Sequence, residues 1–188
     1  MTHRTWIDAV KRFTLELVSA KQKIQEKHRF GIWLLSETVV KTLDLTRDFA
    51  RIKEAINSLA CDTIQHGGFD FDHLRNSIAS ESGKASPGPT RIIFIYGRQG
   101  IPTKTFNEYL GGSSEVYFDA IFLHSPAFNS VNSQIIYDTI VSLDNPAFPG
   151  YFFEESINFP RLLNAVISLL AHPYYRTKQS VLNYTITL

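Results

Sequence analysis

The sequence predicts a doubly wound α/β fold, with a mostly parallel sheet and helices on both of its faces. Short apolar runs rich in β-branched and aromatic residues alternate with helical patterns of about 10–15 residues, which is typical of parallel sheets. The composition is globular, with 44 % hydrophobic and 20 % charged residues. A chain of 188 residues can bury a sizeable core, so we expect a single domain over residues 1–188.

The first half of the chain predicts two strands between helices. Residues 3–27 have the spacing of a long amphipathic helix. The continuous apolar run Phe30–Leu35 predicts a strand that is buried on both faces. In Thr38–Leu45, apolar and polar residues come closer to strict alternation, which predicts an edge strand after a tight turn. Asp48 and Asp70 each precede a helical pattern, so we expect both to cap helices.

The second half repeats the alternation of strands and helices. We predict strands over residues 91–96, 116–123 and 151–153, and helices over residues 103–110, 132–143 and 157–171. Residues 80–90 are rich in serine, glycine and proline, and they predict a flexible surface loop. This loop is too short to mark a domain boundary.

The charge balance and the cysteine count exclude several classes of protein. The net charge is +1, from 19 basic and 18 acidic side chains, so we expect neither nucleic acid nor an acidic membrane surface as a partner. No apolar run approaches the roughly 20 residues that span a bilayer. A single cysteine excludes an internal disulfide. Together these features predict a protein of the cytoplasm or nucleus.

The carboxyl ends of the predicted strands, where open α/β sheets bind ligands, carry no catalytic motif. The segment Gly97–Gly100 lacks both the third glycine of a dinucleotide site and the lysine of a phosphate-binding loop. Glu154 and Glu155 are adjacent, so in a strand they would point to opposite faces and could not act as an acid/base pair. A capping role before the last helix is the better interpretation. We therefore predict no catalytic residue and no cofactor, and a protein that is not an enzyme.

The ionisable residues also lack the spacing of a metal site. The six histidines show no strong ligand pattern with a carboxylate or a cysteine. Asp44, Asp119 and Asp144 are isolated acidic residues that do not form a set of three convergent oxygen ligands. We therefore predict no metal ligand.

Several segments, in their order and spacing, resemble one family. They span essentially the whole chain: Ser19–Phe30, Arg91–Tyr96, Tyr117–Asp119, Ser142–Asp144, Leu169–Pro173, Arg176 and Gln179–Ser180. The chain resembles the von Willebrand A-like scaffold subunit shared by the BRISC deubiquitinase and the breast-cancer-associated A complex (a MERIT-type BRISC/BRCA-A complex member). Each segment alone is a weak signal, and their shared order makes the match more specific.

The resemblance implies a von Willebrand A-like, Rossmann-type fold, and this sequence departs from it in one respect. The family's fold begins with a central strand ending in Asp-x-Ser-x-Ser, which binds a divalent metal with later oxygen ligands. Here the sequence begins at the helix that should follow that strand. We therefore expect the first central strand to be missing and metal-dependent adhesion to be absent.

The resemblance also implies a non-catalytic scaffold that assembles and stabilises a linkage-specific deubiquitinase complex in the DNA-damage response and in cytoplasmic signalling. The implied direct partner is the subunit built from ubiquitin-conjugating-enzyme-variant domains, the brain and reproductive organ-expressed protein. The zinc metalloprotease subunit and its Abraxas-type partner would be contacted indirectly. The alternatives are a metal-dependent adhesion-type A domain and an α/β hydrolase or phosphatase-like enzyme with an unrecognised site.

A Pro-x-x-Arg element of that family matches Pro173, Tyr174, Tyr175 and Arg176, within an expected docking segment over residues 173–188. The residue types suit a partner contact, because tyrosines bury large areas and arginine can bind a carboxylate with two hydrogen bonds. The competing interpretation is that Pro173 only ends the last helix and that the tyrosines cover the edge of the core.

Overall fold

The computed structural model describes residues 5–60, 68–82, 89–105, 115–125, 130–155 and 159–179. In chain order, the described elements are α1 (Trp6–Ile24), β1 (Phe30–Leu35), β2 (Val39–Thr46), α2 (Phe49–Ser58), α3 (Phe71–Ser82), β3 (Thr90–Tyr96), β4 (Val116–Leu123), α4 (Ser130–Val141), β5 (Phe152–Glu155), α5 (Phe159–Leu170) and a 3₁₀ turn at Pro173–Tyr175. These elements confirm the predicted α/β class.

The elements belong to two compact units. The first unit contains α1, β1, β2, α2 and α5, and the second contains α3, β3, β4, α4, β5 and the 3₁₀ turn. The described strands form two separate sheets, one of two strands and one of three, and no described strand joins them. A single domain over residues 1–188 stays a prediction.

Two helices begin at the aspartates that the sequence places as caps. The Oδ1 atom of Asp48 accepts hydrogen bonds from the N–H groups of Ala50 at 2.9 Å and Arg51 at 3.2 Å. Asp70 precedes α3 and accepts the N–H of Asp72 at 2.9 Å. These bonds satisfy N–H groups that have no partner within the helix, which explains why both helices begin there.

In the first unit, β1 and β2 form an antiparallel hairpin. Every residue of Phe30–Leu35 keeps some exposed surface, so the prediction of a strand buried on both faces is wrong. A continuous apolar run does not reveal whether its neighbour runs parallel or antiparallel, and here the neighbour is the partly charged β2. The prediction of β2 as a strand after a tight turn is confirmed, one residue later than expected.

The core of the first unit lies between the hairpin and the helices α1 and α2. Its buried members are Val18, Leu43, Ile52 and Ile56. The buried Lys21 of α1 donates a hydrogen bond from Nζ to the main-chain carbonyl of Leu170, at 2.6 Å. This cation at the C-terminal end of α5 satisfies a carbonyl that has no partner within the helix.

The second unit is built on a parallel sheet in the order β3-β4-β5, with β4 in the centre. All eight residues of β4 are buried, as expected for the central strand of a parallel sheet. Aromatic rings of β4 and of its neighbours fill much of the core: Phe69, Phe71, Phe94, Tyr96, Phe118, Phe122 and Phe152. Within the described ranges, most aromatic residues of this unit are therefore buried in the core.

Two sequence predictions fall at the edges of the described residues. Residues 101–105 are not helical, so the predicted helix 103–110 is wrong in its first part, and residues 106–110 lie outside the described residues. Thr103 instead forms a bridge with Asp70. In the predicted loop 80–90, residues 80–82 end α3 and Thr90 begins β3, while residues 83–88 lie outside the described residues.

None of the described helices has both the length and the apolar character needed to cross a membrane.

The close approach of Gly150 to β4 gives a test of the packing in the second unit. A Cβ atom at Gly150 would overlap the carbonyl oxygen of Phe118, whereas a Cβ atom at Gly97 would have no neighbour within 4 Å. We expect Gly150→Ala to lower the free energy of unfolding by about 2–3 kcal/mol, because backbone must move to accept the methyl group. The matched control Gly97→Ala should change it by less than about 0.5 kcal/mol. Urea denaturation of both variants measures the difference, and equal stabilities would contradict the packing.

Candidate partner-binding segment

A carboxylate lies in the middle of the most buried strand. Asp119 belongs to β4, and its side chain has 0 % exposed surface. Its Oδ2 atom accepts a hydrogen bond from Arg91 Nε at 2.5 Å, and its Oδ1 atom accepts the N–H of Tyr151 at 2.7 Å. Burying an ionised carboxylate without such partners would be very costly. The hydrogen bonds from Arg91 and from the Tyr151 N–H provide such partners.

The second cation at this carboxylate comes from the C-terminal segment. Arg176 Nη1 donates to Asp119 Oδ1 at 2.6 Å, and Nη2 donates to the main-chain carbonyl of Pro149. The Arg176 side chain is only 4 % exposed. Its guanidinium therefore binds two acceptors of its own chain, and a contact with a partner's carboxylate would require this pair to open.

The guanidinium also lies against aromatic rings. Arg176 Cζ is 4.4 Å from the ring centre of Tyr151 and 5.6 Å from that of Tyr117. Tyr117 in turn packs edge to face against Phe148 and Tyr174, with ring centres 5.6 and 6.0 Å apart. A cation over such rings gains on the order of 1 kcal/mol, more where water is excluded. The ion pair and the rings together fix the arginine in one position.

Thr177 and Gln179, which follow Arg176, form further hydrogen bonds with Tyr151 and with Phe152 of β5. The Tyr151 hydroxyl donates to the carbonyl of Thr177 at 2.5 Å. The side-chain amide of Gln179 accepts the N–H of Phe152 at 2.8 Å and donates to the carbonyl of the same residue at 2.5 Å. β5 pairs with β4 along one edge, and Gln179 thus occupies main-chain groups of Phe152 much as a further strand would.

A second carboxyl group, Asp144, is close enough to Arg176 to feel its charge. Burial raises the pKa of Asp144, while hydrogen bonds from the N–H groups of Gly150 and Asn145 and the charge of Arg176 act in the opposite direction. The Gly150 N–H donates to Asp144 Oδ1 at 2.8 Å. Arg176 therefore interacts with two carboxyl groups of its own unit, Asp119 directly and Asp144 through its field.

The structure gives the four residues of the predicted docking element different environments. Pro173, Tyr174 and Tyr175 form the 3₁₀ turn, in which Tyr174 is 53 % and Tyr175 is 86 % exposed. The pKa of Tyr174 is raised to about 12, mainly by a hydrogen bond to the Glu115 carboxylate and to a smaller extent by burial. The Tyr174 hydroxyl therefore stays a neutral donor. Arg176 is the buried member of the set. Residues 180–188 of the predicted docking segment lie outside the described residues.

Sequence reasoning missed the residues that hold this segment: Arg91, Asp119, Tyr151 and Gln179. One signal could have found part of the arrangement. Asp119 is the only charged residue in the apolar run Val116–Leu123, and a charge at the centre of a buried strand requires a cation. The sequence offered several arginines and no rule to choose among them.

A second pair of ionisable groups lies where β4 and β5 end. His124 Nε2 is 3.1 Å from Glu154 Oε1, and the histidine ring stacks on Phe122 at 5.3 Å. Both Glu154 and Glu155 belong to β5, so their predicted role as caps of the last helix is wrong. Among the described residues, no group of three histidine, cysteine, aspartate or glutamate side chains could hold a metal ion.

The ion pair at Asp119 gives the second test. Asp119→Asn keeps the shape of the side chain but leaves two buried guanidinium groups without an anion, so we expect the free energy of unfolding to fall by about 3–5 kcal/mol. Asp44→Asn is the matched control, because the Asp44 side chain is 84 % exposed and pairs with Lys41 on the surface. It should change stability by less than about 0.5 kcal/mol. Thermal and urea unfolding measure both, and a mild effect of Asp119→Asn would contradict the assigned pair.

Comparisons with known proteins bear on the fold. Neither a scan against protein-family models nor a search of curated proteins finds a match. Solved structures do match. The conserved hypothetical protein BatB from Bacteroides thetaiotaomicron aligns with a TM-score of 0.55 at 11 % identity, covering 89 % of each chain. The von Willebrand A (VWA) domain of SpRpn10 aligns with a TM-score of 0.52 at 15 % identity, covering 86 % of this chain and 82 % of that one.

A third structure is an aerotolerance-related membrane protein from Bacteroides fragilis NCTC 9343, carrying multiple mutations to serines. It aligns with a TM-score of 0.53 at 14 % identity, over 85 % of this chain and 87 % of that one. Sequence identities this low support a conclusion about the fold alone. On that basis, the expected fold is confirmed: the chain has a von Willebrand A-like α/β fold.

Proposed function

We propose that this chain is a non-catalytic scaffold subunit that assembles and stabilises a linkage-specific deubiquitinase complex of the BRISC and breast-cancer-associated A type. Its direct partner in this proposal is the subunit built from ubiquitin-conjugating-enzyme-variant domains, the brain and reproductive organ-expressed protein. The zinc metalloprotease and its Abraxas-type partner join through that subunit. Such a complex would act in the cytoplasm and nucleus, in the DNA-damage response and in signalling.

The observation that carries the proposal is a pair of exposed tyrosines on a turn whose backbone is anchored by the residue that follows it. Tyr174 and Tyr175 are 53 % and 86 % exposed, although the next residue, Arg176, is tied to the centre of the sheet. Tyrosine is among the residue types that contribute most at protein interfaces. Because the turn is fixed in advance, little backbone freedom would be lost on binding, which favours affinity.

The fold and the resemblance point in the same direction. A von Willebrand A-like fold is what the family resemblance implies, and the segments that carry the resemblance include Tyr117–Asp119, Leu169–Pro173 and Arg176. Asp119 and Arg176 form an ion pair. Two segments far apart in the sequence thus meet at the base of the proposed docking turn. This meeting supports a shared structural role for the residues that carry the resemblance.

The residues of the Pro-x-x-Arg element have two different roles in this proposal. In the proposal, Pro173, Tyr174 and Tyr175 provide the surface that the partner covers. Arg176 holds that surface in place through Asp119 and through the carbonyl of Pro149. A loss of partner binding in an Arg176 variant would therefore report on the position of the turn as well as on direct contact.

Tyr175 provides the test of the proposed function. We expect Tyr175→Ala to weaken binding of the ubiquitin-variant-domain subunit by about 2 kcal/mol, roughly thirtyfold, because a large exposed anchor is removed. Isothermal titration calorimetry with the purified subunit measures the change. The thermal unfolding midpoint should stay unchanged, since the side chain is 86 % exposed.

Val131→Ala is the matched control, because Val131 is an apolar residue of α4 that is 64 % exposed and lies outside the docking segment. It should bind as the unaltered chain does. The proposal fails if the unaltered chain does not bind the subunit. The assignment of the contact to the tyrosine turn fails if Tyr175→Ala and Val131→Ala bind equally well.

A further inference from the structure

A carboxylate lies beside the exposed tyrosines. Glu115 directly precedes β4, and its side chain accepts a hydrogen bond from the Tyr174 hydroxyl. The Tyr117 hydroxyl also donates to Glu115 Oε1, at 3.5 Å. The two hydroxyl groups provide hydrogen bonds to the carboxylate oxygens. Because both hydroxyl groups are neutral, they do not compensate the negative charge of Glu115.

Two arginines of this unit are paired with a buried carboxylate. Arg91 and Arg176 both bind Asp119, and their side chains are only 13 % and 4 % exposed. Lys178 is exposed on the same segment, and within the described residues it forms no ion pair with a carboxylate. The surface beside the turn therefore combines the rings of Tyr174 and Tyr175 with the anion Glu115, while Arg91 and Arg176 are largely buried and Lys178 lies three residues beyond the turn.

This arrangement has the chemistry of a site for a basic side chain. Lysine and arginine bind carboxylates through charge-assisted hydrogen bonds. They are also attracted to the faces of tyrosine rings. We propose that the surface formed by Glu115, Tyr174 and Tyr175 receives a lysine or arginine side chain of the partner protein. The inference rests on the proposed function for the partner's identity, and it reverses the charge expected from the sequence, where Arg176 would meet an acidic partner.

Calorimetry with the ubiquitin-variant-domain subunit, at about 50 and 200 mM salt, tests the sign of this charge. Glu115→Gln keeps the length of the side chain and an oxygen acceptor for Tyr174, so the turn should keep its place. We expect this variant to bind about tenfold more weakly at the lower salt and to lose most of the salt dependence. Lys178→Gln is the matched control, and its binding should be unchanged or tighter. Equal thermal unfolding midpoints for the two variants would exclude a general loss of structure.

A pair of peptides keeps the inference testable without the subunit. The probes are acetyl-Leu-Arg-Leu-amide and the same peptide with glutamate in place of arginine, titrated at millimolar concentration into the full chain. Nuclear magnetic resonance should record shifts at Glu115, Tyr174 and Tyr175 with the arginine peptide, and these should vanish in Glu115→Gln.

The possible outcomes are distinct. If the subunit binds and Glu115→Gln binds as tightly as the unaltered chain, the basic-residue site is overturned while the proposed function stands. If the subunit does not bind, the proposed function fails, and the peptides decide the inference alone. Shifts that are equal for the two peptides, or absent for both, would overturn it.

Discussion

The folded second unit depends on pairing the buried carboxylate of Asp119 with cations. This residue sits in the central strand of a parallel sheet, with 0 % of its side chain exposed. A charge in that position is tolerated only when cations and hydrogen bonds replace the water it has lost. Arg91 supplies one cation from the adjacent strand, and Arg176 supplies the other from the C-terminal segment. The path of that segment follows from this requirement.

The same interaction couples the core to the surface. Because Arg176 is anchored in the sheet, the turn that precedes it cannot move freely, and Tyr174 and Tyr175 are presented in one arrangement. The hydrogen bonds of Thr177 and Gln179 to residues 151 and 152 extend the anchor by three residues. A surface held in this way loses little conformational entropy on binding. At the turn itself, Arg176 is buried against Asp119, and Glu115 provides an anion beside the two tyrosines.

The candidate site could be predicted only in part. The sequence identified the Pro-x-x-Arg element by resemblance, and the residue types indicated a contact surface. It did not divide that element into two exposed tyrosines and one buried arginine, because burial depends on what lies opposite in three dimensions. The apolar run around Asp119 indicated a buried carboxylate, which requires a cation as its partner. The choice between the chain's arginines depended on the path of residues 173–179, which no local pattern encodes.

By itself, the sequence determined the elements and many of their ends. The strand Val116–Leu123 has the predicted limits, and Asp48 caps the helix that it precedes, because propensity and capping act over a few neighbouring residues. Only the tertiary structure decided that the apolar Phe30–Leu35 belongs to an antiparallel hairpin and that Arg176 pairs with a carboxylate 57 positions earlier. Strand neighbours and buried ion pairs join distant parts of the chain, so their selection depends on the packed fold as a whole.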